Sequence, residues 1–248
     1  MVSFTYLRRL PPAGNLKQLF SFDIPFTRAF LKPVLPVAVN ELLWSLGITT
    51  YQIIYARMGT EELAAVNIAA TISDLAVVAF IGIGNATAIL VGNLIGSERY
   101  ERAQLYGGRS LALGASGGLV IGFFLFLFSP LILNFYKVSP QVILMARTLI
   151  IITSASLWLR MSNLILFIGI FRAGGDTRFA LVLDGLIIWL VGVPLTAYGA
   201  FVLEWPIYLV FMLTLSEEFS KFGLGMWRYF SKKWIHNLAE TVSPEAAA

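Results

Sequence analysis

The chain contains no cysteine, and its one histidine, His236, stands near the end in a polar segment. Without thiols there is no disulfide framework, iron–sulfur cluster or thiolate zinc site. A single imidazole removes most metal-ligand and general-base chemistry as well. Charge is scarce: 13% of the 248 residues are Asp, Glu, Lys or Arg, against about 25% in ordinary soluble domains. No nucleophile motif or nucleotide-binding glycine loop occurs. The segment "GASGG" (Gly114 to Gly118) lies within an apolar run and reads as packing. An enzyme is therefore not expected. Nor is a secretory signal peptide, since no early apolar stretch precedes a small-residue cleavage site.

What the chain has is hydrophobic length. Apolar residues make up 58% of it, and runs of about 20 such residues suffice to cross a bilayer as helices. Six runs are long enough, which predicts an all-α polytopic membrane protein with spans at Val34–Ala56, Asn67–Ile95, Tyr106–Phe128, Val142–Ile170, Phe179–Leu203 and Pro206–Tyr229. The punctuation agrees. Thr60 reads as an N-cap, with Glu61 and Glu62 at the positive end of the next helix. Ser139–Pro140 and Trp205–Pro206 put proline where a helix starts and its missing N–H is harmless. "GSERYERAQ" (Gly96 to Gln104) reads as a charged connection. "RAGGDTR" (Arg172 to Arg178) reads as a glycine turn, with Asp176 or Thr177 capping the helix that follows.

The net charge of +4 does not point to nucleic acid, because the cations are scattered over the connections. Arg8, Arg9, Lys17, Arg28 and Lys32 precede the first span; Arg99, Arg102 and Arg109 follow the second; Arg172 and Arg178 follow the fourth. Arg228, Lys232 and Lys233 close the sixth. The opposite side has only Arg57, Lys137 and Arg147. Cytoplasmic loops are enriched in Lys and Arg, so both termini are expected in the cytoplasm. The expected divisions are a cytoplasmic segment 1–33, a six-helix lobe 34–229 and a cytoplasmic tail 230–248.

Polar residues inside the spans fall on helical faces. Glu41, Ser45 and Gln52 share one face of the first span; Asn67, Thr71, Asp74 and Asn85 share one of the second. Thr153, Ser156, Arg160 and Asn163 do so on the fourth. Such stripes turn away from lipid, where an unsatisfied polar group costs several kcal/mol. Ser45, Thr71, Asn85, Thr153 and Asn163 are readable as packing glue at about 0.6 kcal/mol each. Gly82, Gly84, Gly117, Gly118 and Gly122 read as close-packing positions.

Carboxylates demand more. A charge at a helix centre costs about 2.5–3.5 kcal/mol on insertion scales. Glu41 lies ~10 Å into its span and Asp184 ~8 Å into its own, at 1.5 Å per residue. Each is either one half of a permanent ion pair, with Arg160 available to Glu41, or an acid that binds and releases a cation or proton. Asp74 has Asn67 and Thr71 within local reach. Glu217 and Lys221, spaced i, i+4, read as a local structural pair, with Glu218 at i, i+3 from the same lysine.

Five segments together resemble the multidrug and toxic compound extrusion (MATE) transporters: "LPVAVNELLWSLG" (Leu35 to Gly47), "MGTEELAAVNIAATI" (Met58 to Ile72), "AILVGNLIGSERYERA" (Ala88 to Ala103), "FRAGGDTRFALVLDGLIIWLVGVPL" (Phe171 to Leu195) and "KKWIHNL" (Lys232 to Leu238). The resemblance is to the second six-helix half of a twelve-helix protein. It implies one lobe of a transporter in the plasma membrane that exchanges Na⁺ or H⁺ for lipophilic or cationic drugs by alternating access, with no cofactor. By it Glu41 and Asp184 are the ion- or proton-coupling acids. Ser45, Gln52, Asp74, Arg160 and Asn163 are then expected to line the substrate cavity, and the Gly174–Gly175–Asp176–Thr177 turn is structural. The expected partners are the bilayer, organic cations and a second six-helix lobe, on a separate chain or a second copy. A lobe of a lipid-linked sugar flippase and a non-transporting membrane subunit are the alternatives.

Overall fold

The computed structural model describes residues 24–236. Arg8, Arg9, Lys17 and the tail beyond His236 lie outside the described residues. The chain divides into two compact units, Met1–Leu35 and Pro36–Ala248. The described part of the first is helical from Ile24 onward; the packing and the site that follow belong to the second.

Among the described residues the fold is all-α, with one isolated antiparallel bridge, Gly175 to Ile235. Six continuous helical runs are α1 (Ile24–Met58), α2 (Thr60–Gly96), α3 (Tyr100–Leu133), α4 (Pro140–Phe171), α5 (Thr177–Phe201) and α6 (Ile207–Phe230). Of these, α2, α3, α4 and α5 are long and apolar enough to cross a membrane. The α6 helix carries Glu217, Glu218, Lys221 and Arg228, and its charged middle needs partners inside the protein.

The helix starts follow local chemistry. Pro140 occupies the first turn of α4, and the Ser139 hydroxyl accepts the Val142 N–H at 3.3 Å while donating to Glu61 at 3.0 Å. Two expectations shift. Thr60 is the first residue of α2 rather than its cap, which is an extended Gly59 with no side-chain bond. Glu61 and Glu62 lie in its first turn as expected, ahead of the apolar span that begins at Asn67. Asp176 holds the N-cap position of α5 but makes no cap bond. Its carboxylate instead accepts from Arg228 Nε at 2.7 Å, a charge-assisted contact stronger than a neutral cap bond. The charged connection after α2 is shorter than expected, since Glu101 and Arg102 already belong to α3.

The α4 helix is central: half of its apolar window is buried within the chain, against 22% for α3. The α3–α4 contact depends on absent side chains. Gly107, Gly114, Gly118 and Gly122 lie buried along α3. A Cβ on Gly118 would stand 2.6 Å from Trp158 Cα, so the backbones approach as closely as small residues permit. Gly82, by contrast, has open space where a side chain would go, and is no packing position within this chain.

Two apolar clusters flank the middle of the bundle. One gathers Tyr51, Ile54 and Tyr55 of α1 with Val66 of α2, Leu149 and Ile150 of α4 and Val210 of α6. The other gathers Val91 and Ile95 of α2, Leu111 of α3, Ile165, Leu166, Phe167, Ile170 and Phe171 of α4, and Trp234. Along α4 the segment from Thr153 to Asn163 separates them, and it carries the polar stripe. Three π-helical stretches, Ile165–Phe171 in α4 with Leu181–Leu186 and Ile188–Gly192 in α5, widen the helices near that level. The last precedes Pro194, which has no N–H for the preceding turn.

The "RAGGDT" turn is clasped by the segment after α6. Gly175 has φ 80°, a left-handed conformation natural to glycine. A Cβ on Gly174 would collide with the fully buried Trp234. Trp234 stacks on Tyr229 with centroids 6.0 Å apart, and His236 N–H donates to the Gly174 carbonyl at 2.8 Å. The turn is structural, and it fixes the end of α4 where Arg172 stands.

Candidate ion and substrate cleft

A cleft of about 470 Å³ opens between α1, α2, α4, α5 and α6. Its apolar wall is built by Trp44 and Ile48 of α1, Val77, Val78 and Ile81 of α2, and Leu164, Phe167 and Ile168 of α4. Its charged wall holds five carboxylates, Glu41, Asp74, Asp184, Glu217 and Glu218, against three cations, Arg160, Arg172 and Lys221. A second cleft of about 250 Å³ continues from it past Tyr51, Gln52, Tyr55, Ser73, Thr153 and Ser156, sharing Trp44, Ile48, Asp74, Arg160, Glu217 and Glu218.

The charges are handled in two ways. On the open side, Arg172 Nη2 donates to Glu41 Oε1, with 54% of the glutamate side chain exposed. Arg160 stands 3.8 Å from Asp74, the arginine partly and the aspartate largely exposed. On the closed side, Lys221 Nζ donates to Asp184 Oδ1 at 2.9 Å and to Glu217 Oε1 at 3.4 Å. Asp184 Oδ2 also accepts from Asn40 Nδ2 at 3.0 Å, and Glu217 Oε2 accepts from the Tyr51 hydroxyl. Asn163 Nδ2 donates to Glu218 Oε2 at 2.6 Å and to the Glu218 carbonyl at 2.9 Å.

The closed side exists because α5 is thin where α1 meets it. Gly185 and Gly192, two turns apart on one face, stand where a Cβ would meet the Asn40 amide oxygen at 3.0 Å, and the Tyr51 hydroxyl and Glu217 carboxylate, respectively. Any side chain at Gly192 would fill the space in which tyrosine and glutamate meet. Trp189 Nε1 donates to the Leu43 carbonyl at 3.0 Å, tying the same two helices.

Of the residues expected at the site, Glu41, Asp184, Asp74, Arg160 and Asn163 meet in the larger cleft, and Asp74, Arg160 and Gln52 line the smaller. Ser45 lines neither; it is exposed on another face of α1, where its carbonyl accepts the Thr49 hydroxyl. Glu41 does not meet Arg160. Its partner is Arg172, read from the sequence as a loop cation, because α4 runs on through Phe171 and brings the guanidinium back to α1. The Glu217–Lys221 pair forms as its spacing predicted, but Lys221 also bridges to α5, and Glu218 turns to Asn163 instead of the lysine. Asn40 and Tyr51 were not singled out by the sequence. The one available signal was a lysine deep in a span with more acids near it than a single local pair requires.

The MatE family model matches residues 36–198. The Bacillus subtilis transporter YisQ, itself uncharacterized, is 27% identical over 232 residues, covering 92% of this chain and 50% of its own length. The probable multidrug resistance protein NorM of Bacillus cereus is 24% identical over 191 residues, covering 76% of this chain and 42% of its own. The Vibrio cholerae MATE transporter VcmN in its bent form superposes with a TM-score of 0.73 at 17% identity, over 89% of this chain and 50% of that one. At that identity the likeness is one of fold. The chain spans about half the length of the curated relatives it matches.

Proposed function

Because the chain belongs to the MatE family of membrane transporters, we propose that it forms one lobe of a Na⁺- or H⁺-coupled antiporter that exports lipophilic or cationic compounds by alternating access. In this reading residues 34–229 make six membrane spans with both termini in the cytoplasm. A second six-helix lobe, on another chain or a second copy, completes the pathway. The observation that carries it is Glu41: a carboxylate within an apolar helix, half-exposed to a cleft lined by more acidic than basic side chains.

An apolar wall opposite such a charge suits a lipophilic cation, and it counts against the pyrophosphate of a lipid-linked sugar. The antiport logic is competition. A proton or Na⁺ on Glu41 removes its attraction for Arg172 and for a cationic cargo alike, so ion entry and cargo release use one carboxylate. Occupancy can shift the lobe between states only through a difference in affinity between them. Arg172 supplies one, since its guanidinium is anchored at the clasped end of α4 and can cover Glu41 only in some arrangements of α1 and α4.

The test is gradient-driven efflux of a fluorescent organic cation from cells expressing the chain with its partner lobe. Glu41→Gln is expected to abolish gradient-driven efflux and Glu41→Asp to retain part of it. Unchanged coupled efflux in Glu41→Gln removes the proposed role.

A further inference from the structure

We infer that Lys221 is a tethered cation: its ammonium fills the acid cage of Asp184 and Glu217, so that this position takes no free monovalent ion and exchange is left to Glu41. The cage sits at the wall of the larger cleft, and its three side chains are mostly withdrawn from solvent. Lys221 reaches one oxygen of Asp184 at 2.9 Å and one of Glu217 at 3.4 Å, with 3%, 17% and 6% of the three side chains exposed. The remaining oxygens are taken by neutral donors, Asn40 Nδ2 and the Tyr51 hydroxyl. A hard cation must gather several oxygen ligands. Here every carboxylate oxygen already accepts from an N–H or O–H, and a cation placed between the two acids would have to displace the ammonium.

The arrangement nevertheless has the makings of an ion site. Two carboxylates, a phenol and a buried amide converge from α1, α5 and α6, and the Asn40 side-chain oxygen Oδ1 is buried with no hydrogen-bond partner. What separates cage from site is the lysine stem, which supplies the cation covalently. A tethered ammonium offsets the charge of one of the two acids but cannot cross to the other side of the membrane. The Asp184 end of the cleft is thereby a fixed electrostatic hinge between α1, α5 and α6. The glycines at 185 and 192, which keep room for the donors, belong to the same device.

The inference concerns ion binding and stands apart from the transport role of Glu41, because its readout needs neither gradient nor cargo. The chain in lipid nanodiscs is titrated with NaCl against choline chloride at constant ionic strength, following tryptophan fluorescence and thermal unfolding. Asp184→Asn is expected to leave the Na⁺ response of the parent chain unchanged. Lys221→Met is expected to gain a Na⁺-dependent rise in Tm, as a ligand bound only by the folded state produces. Lys221→Arg should gain none, and Lys221→Met with Asp184→Asn should lose the gain. A Na⁺ response of the parent chain that Asp184→Asn removes overturns the proposal, as does a folded Lys221→Met with no new response. Should Lys221→Met fail to fold, the parent and Asp184→Asn titrations still decide.

Discussion

The two sides of the cleft handle the same problem, charge inside an apolar bundle, in opposite ways. On the α1–α2 side each acid has one cationic partner and open access: Glu41 with Arg172, Asp74 with Arg160. On the α5–α6 side two acids share one lysine, and neutral donors occupy their other oxygens out of solvent. The first arrangement leaves most carboxylate oxygens open to a visitor; in the second every carboxylate oxygen already accepts a hydrogen bond. Acidity alone does not distinguish the two sides, then; a buried, multiply bonded partner marks the acids that tie helices together, and on the proposed reading its lack marks the acid that exchanges ions.

The comparison breaks hardest at Lys221. Removing one member of a buried ion pair strands the others, at about 3–5 kcal/mol. In Na⁺-free buffer Lys221→Met should lose stability on that scale, measured by thermal unfolding in nanodiscs. Replacing Asp184 by Asn in the same chain should restore part of the loss, because the stranded charge goes with it. The non-additivity is expected between about 0.5 and 3 kcal/mol. If the two changes simply add, the lysine and aspartate do not act as a unit and the closed side has been misassigned.

Tyr51→Phe sharpens the same side by a smaller step. It removes the hydroxyl on Glu217 and leaves a buried carboxylate oxygen unsatisfied, expected at about 1.5–3 kcal/mol for a hydrogen bond to a charged group. The phenyl ring keeps its place beside Tyr55, with which Tyr51 stacks at 6.4 Å, so the loss reports the hydroxyl rather than packing. A Tyr51→Phe chain as stable as the parent would mean that Glu217 is not held in the way described.

Much of this fold is legible in the sequence because lipid imposes simple rules: apolar length gives α2 to α5, Ser139–Pro140 gives the start of α4, and the glycines of α3 give its close contact. The start of α2 is legible to within one residue from Thr60, Glu61 and Glu62, although the apolar run begins only at Asn67 and gives no hydropathic mark of the first two turns. The residues that line the clefts, Ser45 apart, were legible as a set but not as a set of partners. Glu41 and Arg172 are 131 positions apart, and Arg172 directly follows an apolar run, so it was read as loop. Lys221 offered Glu217 at i, i+4, a sufficient local explanation that concealed its bond to Asp184. Helical spacing shows which residues share a face; it is silent on which face of another helix they meet.

The smallest expected effects lie on the open side, and they bear on what covers it. An exposed ion pair contributes about 0–1 kcal/mol, so Glu41→Gln should change the stability of the chain by no more than that even as it abolishes driven efflux. Asp74→Asn should do less, since its pair with Arg160 is at 3.8 Å with 67% of the aspartate side chain exposed. The polar stripe of Asn67, Thr71, Asp74 and Asn85 along α2 is exposed in this chain, an arrangement that lipid does not tolerate. A second lobe that covers the stripe would take Asp74 out of contact with salt. Exposed pairs weaken as salt is added, over a Debye length of about 8 Å at physiological ionic strength, whereas covered pairs are screened much less. The effect of Asp74→Asn on unfolding should therefore vanish in high salt for the chain alone and persist in high salt once the partner lobe is bound. Salt-sensitivity unchanged by the partner would place the stripe away from the lobe interface.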